Sequence, residues 1–124
     1  MKSDAPVSEV ARAPEADELF EMANLYPRTT GLPMTVWVGP RGTARHDVRI
    51  KVNQAHGDRM TIGNTAIVGI RPSPNVIGGR LSAVDQRAVF DWIALNEATI
   101  IAYWNGSIDT AELIQRLKPL PPAP

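Results

Sequence analysis

Only two histidines occur in the chain, His46 and His56, and each sits among an acid and a base: Arg45-His46-Asp47 and His56-Gly57-Asp58-Arg59. Two imidazoles that converge can divide the work of general base and general acid, with Arg45, Arg49 or Arg59 holding a phosphate. That is the chemistry of a metal-independent nuclease or phosphodiesterase, and it makes His46 and His56 the candidate catalytic residues. The stretch between them, a strand and a turn, can bring the pair together or hold it apart. Two solvated loop histidines would show the same pattern. His46 and His56 with Asp47 or Asp58 also offer donors to a metal. No HExxH or paired-ligand spacing supports that, and no metal site is expected.

Other chemistry-bearing patterns are weaker. Gly39-Pro40-Arg41-Gly42 and Gly78-Gly79-Arg80 fit neither a P-loop nor a dinucleotide fingerprint, and Pro40 removes a donor such a loop needs. They read as turns, and no cofactor is expected. No GxSxG is present, and there is no cysteine to activate. Trp37 stands in a strand near Arg49 and Lys51. An exposed aromatic beside cations is what nucleic-acid-binding sheets use to stack bases. Burial of Trp37 under a helix or in a dimer contact is the other reading. Arg45, Arg49, Lys51, Arg59 and Trp37 are therefore the candidate anion- or partner-binding residues.

The chain has 124 residues, 44% hydrophobic and 21% charged, which suits one globular domain with a real core. The absence of cysteine excludes a disulfide framework and fits a reducing compartment. No apolar run is long enough to span a bilayer, and the first twenty residues lack the apolar stretch of a signal peptide. A cytoplasmic location without membrane contact is the expectation. Thirteen basic and thirteen acidic residues cancel, which argues against wholesale nucleic-acid binding. The charges are unevenly spread: residues 1–24 carry two basic and six acidic side chains, residues 39–59 five basic and two acidic. An acidic arm and a basic middle can face each other, within one chain or between two, or form two solvated faces.

The elements that must position these residues follow from periodicity. Residues 1–14 have no pattern and are expected to be disordered. Residues 15–118 make the domain, and 119–124 a Pro-rich tail in extended polyproline form. A short helix is expected from Pro14 to Leu25. Met34 to Val38 reads as a strand. Asp47 to Val52 alternates strictly, with Val48, Ile50 and Val52 toward a core and Asp47, Arg49 and Lys51 toward water. These two form a hairpin. Met60–Ile62 and Thr65–Ile70 suggest a second hairpin, closed off by Pro72 and Pro74. Val76 to Arg80 leads into the longest stretch without Gly or Pro, Leu81 to Trp104. Ser82 and Asp85 form a capping box there, and Val84, Ala88, Trp92 and Leu95 share one face, widened by Val89, Phe90 and Ile93. A break is expected at Asn96. Asp109 and Glu112, at capping-box spacing, start a last helix that Pro119 stops. Strands grouped before helices give an α+β fold: a small antiparallel sheet of two hairpins covered by the C-terminal helices.

Gly31 to Val38, the turn through His46 to Val52, Val89 to Asn96 with Tyr103-Trp104-Asn105-Gly106, and the closing Lys118-Pro119-Leu120 together resemble the DUF4160 family of small bacterial domains. The resemblance covers about two-thirds of the chain. The turn carries one histidine, His46, where members show a cluster, and Gln54 to Arg80 is an additional segment. Such domains accompany toxin–antitoxin or mobile-element systems, so the resemblance implies a small interaction module rather than a catalyst. The expected function is a non-enzymatic protein-interaction module that self-associates, as a homodimer, or binds a protein partner. The nuclease using His46 and His56 and a nucleic-acid-binding module remain the alternatives.

Overall fold

The structure is a computed structural model that describes residues 22–122. The expected disorder of residues 1–14 lies outside the described residues, as do most of the first expected helix and the last two tail residues. In chain order the elements are strand β1 (Ala23–Leu25), a single turn α1 (Pro27–Thr30), strands β2 (Val36–Val38), β3 (Arg49–Asn53), β4 (Thr65–Gly69) and β5 (Asn75–Gly78), then helices α2 (Ala83–Trp104) and α3 (Thr110–Arg116). The strands form one five-stranded antiparallel sheet in the order β1-β2-β3-β4-β5. The fold is α+β.

The sheet's inner face follows from alternation. Val36 and Val38, Ile50 and Val52, Ala66 and Val68 point to one side and are fully or almost fully buried. The strict alternation of 48–52 is reproduced, with Val48 buried beside them. Against this face lies α2. Its buried residues are Asp85, Val89, Trp92, Ile93, Asn96, Ile100, Tyr103 and Trp104, steps of three and four that trace one stripe. The expected face is thus rotated. Val84 is 78% exposed and Leu95 42%, whereas Val89 and Ile93 are inside. The apolar residues nearly encircle the helix, so sequence pattern alone did not fix which third faces the sheet.

Three further expectations are corrected. Ala23–Leu25 is an edge strand, not the end of a helix: Ala23 and Leu25 are buried and Asn24 between them is exposed, period two rather than 3.6. It pairs with β2 in register Ala23–Val38 to Leu25–Val36. Met60–Ile62 is not a strand. β4 pairs instead with β3 and with β5, the Asn75–Gly78 stretch expected to be a lead-in. The prolines lie in the β4–β5 turn, where the Arg71–Pro72 bond is cis. They therefore remove no hydrogen bond from the ladder. Finally, α2 runs unbroken through Asn96.

Asn96 is buried because its side chain does the work of a backbone segment. Its amide donates to the Trp92 carbonyl at 2.9 Å and the Lys118 carbonyl at 3.0 Å, and its Oδ1 accepts from the Lys118 N–H at 2.7 Å. The chain after α3 is thereby fastened to α2. Two residues on, the Leu120 N–H donates to the Thr30 carbonyl. Gly31 sits there at φ +79°, and a Cβ on it would lie 2.4 Å from the Leu120 carbonyl oxygen. Only glycine admits this approach. At the other end of α2 only half of the expected capping box forms: Ser82 Oγ accepts from the Asp85 N–H, while the Asp85 carboxylate turns elsewhere. Asp109 and Glu112 do form the full reciprocal box on α3.

The rotated stripe makes a direct prediction. Ile93→Ala should destabilise by about 2–5 kcal/mol, whereas Val84→Ala should stay within about 0.5 kcal/mol, both read from urea unfolding midpoints. Asn96→Ala should cost about 2–3 kcal/mol in the same assay, since it strands the Lys118 peptide group without its partners. An Asn96→Ala variant as stable as the parent would mean that the C-terminal segment is held by other contacts.

Candidate binding face

Each strand that sends one residue inward sends its neighbour outward. No helix covers that second face among the described residues. A cross-strand row runs over it: Asn24 opposite Trp37, Trp37 opposite Lys51, Lys51 opposite Ile67. One step along, Arg49 is opposite Gly69, and Gly69 is opposite Asn75. A side chain on Gly69 would collide with Asn75 Oδ1 at 2.8 Å and Ile77 Cδ1 at 3.1 Å. Those two side chains therefore lean over the glycine, toward Arg49. Ile77 is 54% exposed, and Trp37, Lys51 and Ile67 are half-buried. The face is a mixed surface: an indole, two isoleucines and two cations. Trp37 is under no helix among the described residues, and its indole N–H donates to Asn24 Oδ1, which fixes the ring on the sheet.

The face grades into a basic end. The β2–β3 loop carries Arg41, Arg45 and His46, and Met22, Gly39, His46, Arg49, Lys51 and Trp104 border a small indentation there. The loop is pinned to the end of α2: the Arg41 N–H donates to the Trp104 carbonyl at 2.7 Å. The guanidinium carbons of Arg41 and Arg71 lie 5.5 Å and 5.9 Å from the Trp104 ring centre, within cation–π range. Asp47 is the loop's only carboxylate, and Arg71 takes it with three hydrogen bonds of 2.8–3.1 Å. That pairing, first through the Arg71 hydrogen bonds and then through the Val48 N–H, holds the Asp47 carboxyl below its ordinary range and raises the Arg71 guanidinium. Arg41, Arg45, Arg49 and Lys51 have no carboxylate partner among the described residues.

The two histidines do not meet. His46 precedes β3 and His56 follows it, so the five residues of that strand hold them about 15 Å or more apart. His46 Nδ1 lies 2.8 Å from the Asp47 carbonyl, at the end of the domain where α2 finishes. His56 is at the end where α2 begins, and its Nε2 sits 2.9 Å and 3.1 Å from the Asp85 carboxylate oxygens. One phosphate cannot be gripped by both. The candidate anion-binding residues divide in the same way: Arg59 belongs to the exposed β3–β4 loop with His56, while Arg45 and Arg49 lie on the His46 side. No group of three or more His, Asp or Glu side chains able to hold a metal occurs among the described residues.

Sequence reasoning missed Asp85 as the partner of His56, because its place in a capping motif already explained it. It also missed Arg71 as the partner of Asp47, and Ile67 and Ile77 as members of the open face. Ile67 was legible: Ala66 and Val68 buried on either side of it imply an outward Ile67. Ile77 depended on recognising β5.

Comparison with family models, with curated proteins and with solved structures found no match for this chain. Among the described residues no helix is long and apolar enough to cross a membrane.

The Asp47–Arg71 pair gives a signed pH prediction. A carboxyl whose folded value is depressed contributes stability above its unfolded value, and loses it as pH falls through the folded one. The Asp47 carboxyl carbon, followed by NMR titration, should therefore titrate below the ordinary aspartate range in the parent. In Arg71→Gln it should return toward that range. An Asp47 that titrates alike in both would show that the pair does not persist in solution.

Proposed function

We propose that this chain is a small non-enzymatic protein-interaction module, working through the open face of its sheet and the basic loop end that continues it. The observation that carries this reading is the row Trp37–Lys51–Ile67, flanked by Arg49 and Ile77. Aromatic, aliphatic and cationic groups stand together on a rigid sheet, and no helix among the described residues covers them. Aromatic and arginine side chains are the types that anchor protein interfaces. Residues 22–122 carry eleven basic and seven acidic side chains, a net of +4, so the complementary partner surface is acidic with apolar anchors. The resemblance to DUF4160-like domains points the same way, toward a companion protein in a toxin–antitoxin or mobile-element setting, and the cysteine-free composition fits the cytoplasm. A second copy of the chain is the simplest alternative occupant.

The same face supports a second reading, single-stranded nucleic acid stacked on Trp37 with its phosphates on Arg49 and Lys51. The two-histidine hydrolase has no comparable support, since its two imidazoles stand at opposite ends of β3.

Charge reversal separates these readings. Arg49→Glu with Lys51→Glu, and separately Ile77→Asp, should abolish capture of the protein partner in pull-downs from native lysate, with Arg116→Glu on α3 as an unaffected control. Sedimentation of the purified chain reads self-association on the same variants. Capture that survives both sets of changes would remove the open face as the binding surface. An oligonucleotide affinity that falls steeply with salt and disappears with Arg49→Glu and Lys51→Glu would favour nucleic acid instead.

A further inference from the structure

We infer that the outward stripe of α2 is a self-association surface, on which a second copy of this chain docks with its own α2 running antiparallel. The stripe looks away from the sheet, so the inference does not rest on the open-face reading. Three observations carry it. The first is what the stripe exposes. Val84, Arg87, Asp91, Leu95 and Ala98 recur at steps of three and four and line the side of α2 opposite its buried residues. Val84 and Leu95 are large apolar side chains left in water. Beside Val84 and Ala88 opens a groove of about 620 Å³, walled on its far side by Pro33, Leu120 and Pro121. The groove is preformed, because the tail that walls it is bonded to Asn96 through Lys118 and to Thr30 through Leu120.

The second is charge. Arg87 and Asp91 stand one turn apart between Val84 and Leu95, and neither has an ion-pair partner among the described residues. A cation that precedes an anion by four residues is the less favourable order for a pair within one helix. A surface that satisfies both must carry an acid and a base in the reverse order, and an antiparallel copy of the same stripe does. The midpoint between Arg87 and Asp91 and that between Val84 and Leu95 lie less than one residue apart on α2. A two-fold axis there sets Arg87 of each copy against Asp91 of the other. It also sets Leu95 of each copy against Val84 of the other, at the groove. This is the reciprocal matching that an isologous interface needs.

The third is the distribution of charge over the domain. Residues 22–80, sheet and loops, carry eight basic and two acidic side chains; residues 81–122, helices and tail, carry three basic and five acidic. Two copies joined through their sheets would bring like charge together, whereas the helical sides meet near balance. Joined there, both open sheet faces point outward, and the dimer is bivalent for whatever those faces bind.

A seam of two helices is small for a specific interface, so the dimer is expected with a Kd of about 10 µM. Sedimentation equilibrium of the full-length chain should show monomer and dimer in exchange over that range. Asp91→Arg and, separately, Arg87→Asp should each make the chain monomeric, since each sets like charges face to face. Mixed in equal amounts, these two variants should form a one-to-one heterodimer, because every Arg then meets an Asp. The chain carrying both Arg87→Asp and Asp91→Arg should dimerise as the parent does, a rescue that no folding defect imitates. Leu95→Glu should weaken the parent dimer at least tenfold. A parent that stays monomeric at about 500 µM, far above that Kd, overturns the inference. So does a dimer that Asp91→Arg and Leu95→Glu leave intact. A dimer lost only in Arg49→Glu with Lys51→Glu overturns it too, by assigning the second copy to the open face. Capture of a partner from lysate reads the open face separately, so either reading can fail without the other.

Discussion

The whole arrangement depends on one burial: a single stripe of α2 against the inner face of the sheet. Val89, Trp92, Ile93 and Ile100 on the helix meet Val36, Val38, Ile50, Val52 and Val68 on the strands in one continuous core. Full burial of one such side chain is worth about 1.5–3 kcal/mol, so a handful of them outweighs any surface pair in the molecule. The core accepts one visible cost, since the Trp92 indole N–H is buried with no hydrogen-bond partner. Its volume at the centre of the packing offsets that loss. Because α2 can cover only one side of a sheet, the same burial decides which residues are left outside, and they are Trp37, Lys51, Ile67 and their neighbours.

Polar contacts then fix the two ends of the helix to the loops. At the start of α2 the Asp85 carboxylate holds His56, and through it the β3–β4 loop, whose Gly57 is also bonded to Pro33 and Thr35 of the β2 approach. At the end of α2 the Trp104 ring and carbonyl gather Arg41 and Arg71 from two different loops. These contacts separate the histidines. They also leave Arg41, Arg45, Arg49 and Lys51 at one end without a carboxylate partner among the described residues, since Asp47 is taken by Arg71. The asymmetry of the surface is a by-product of how the loops are tied down.

Much of this was written in local pattern. The alternation of residues 48–52 gave β3 and its two faces, and the run from Leu81 to Trp104 gave α2, because each signal is strong over several consecutive residues. What stayed hidden depended on partners far along the chain. Ala23–Leu25 is too short for its period to be distinguished from a helix end, and only pairing with Val36–Val38 makes it a strand. β5 was obscured by Pro72 and Pro74 in the turn before it, and by Gly78, its own last residue, with Gly79 just after it. Asn96 has the local signature of a helix breaker, and the peptide group of Lys118 that employs it lies 22 residues away. For the site, Trp37, Arg49 and Lys51 were identified by type, but Ile67 and Ile77 were not, and neither was the grouping of the candidates. Ten residues of separation say nothing about distance until one knows that a straight strand lies between His46 and His56.

The order of the strands has a consequence for how the molecule is made. Each strand pairs with the one before it in sequence, across connections of five to eleven residues, so the sheet can assemble in sequence as the chain leaves the ribosome. The helix that covers it comes only afterwards. Between those two moments the nascent sheet presents its valine and isoleucine face to water. In that interval the chain is most exposed to aggregation and has the greatest use for a chaperone.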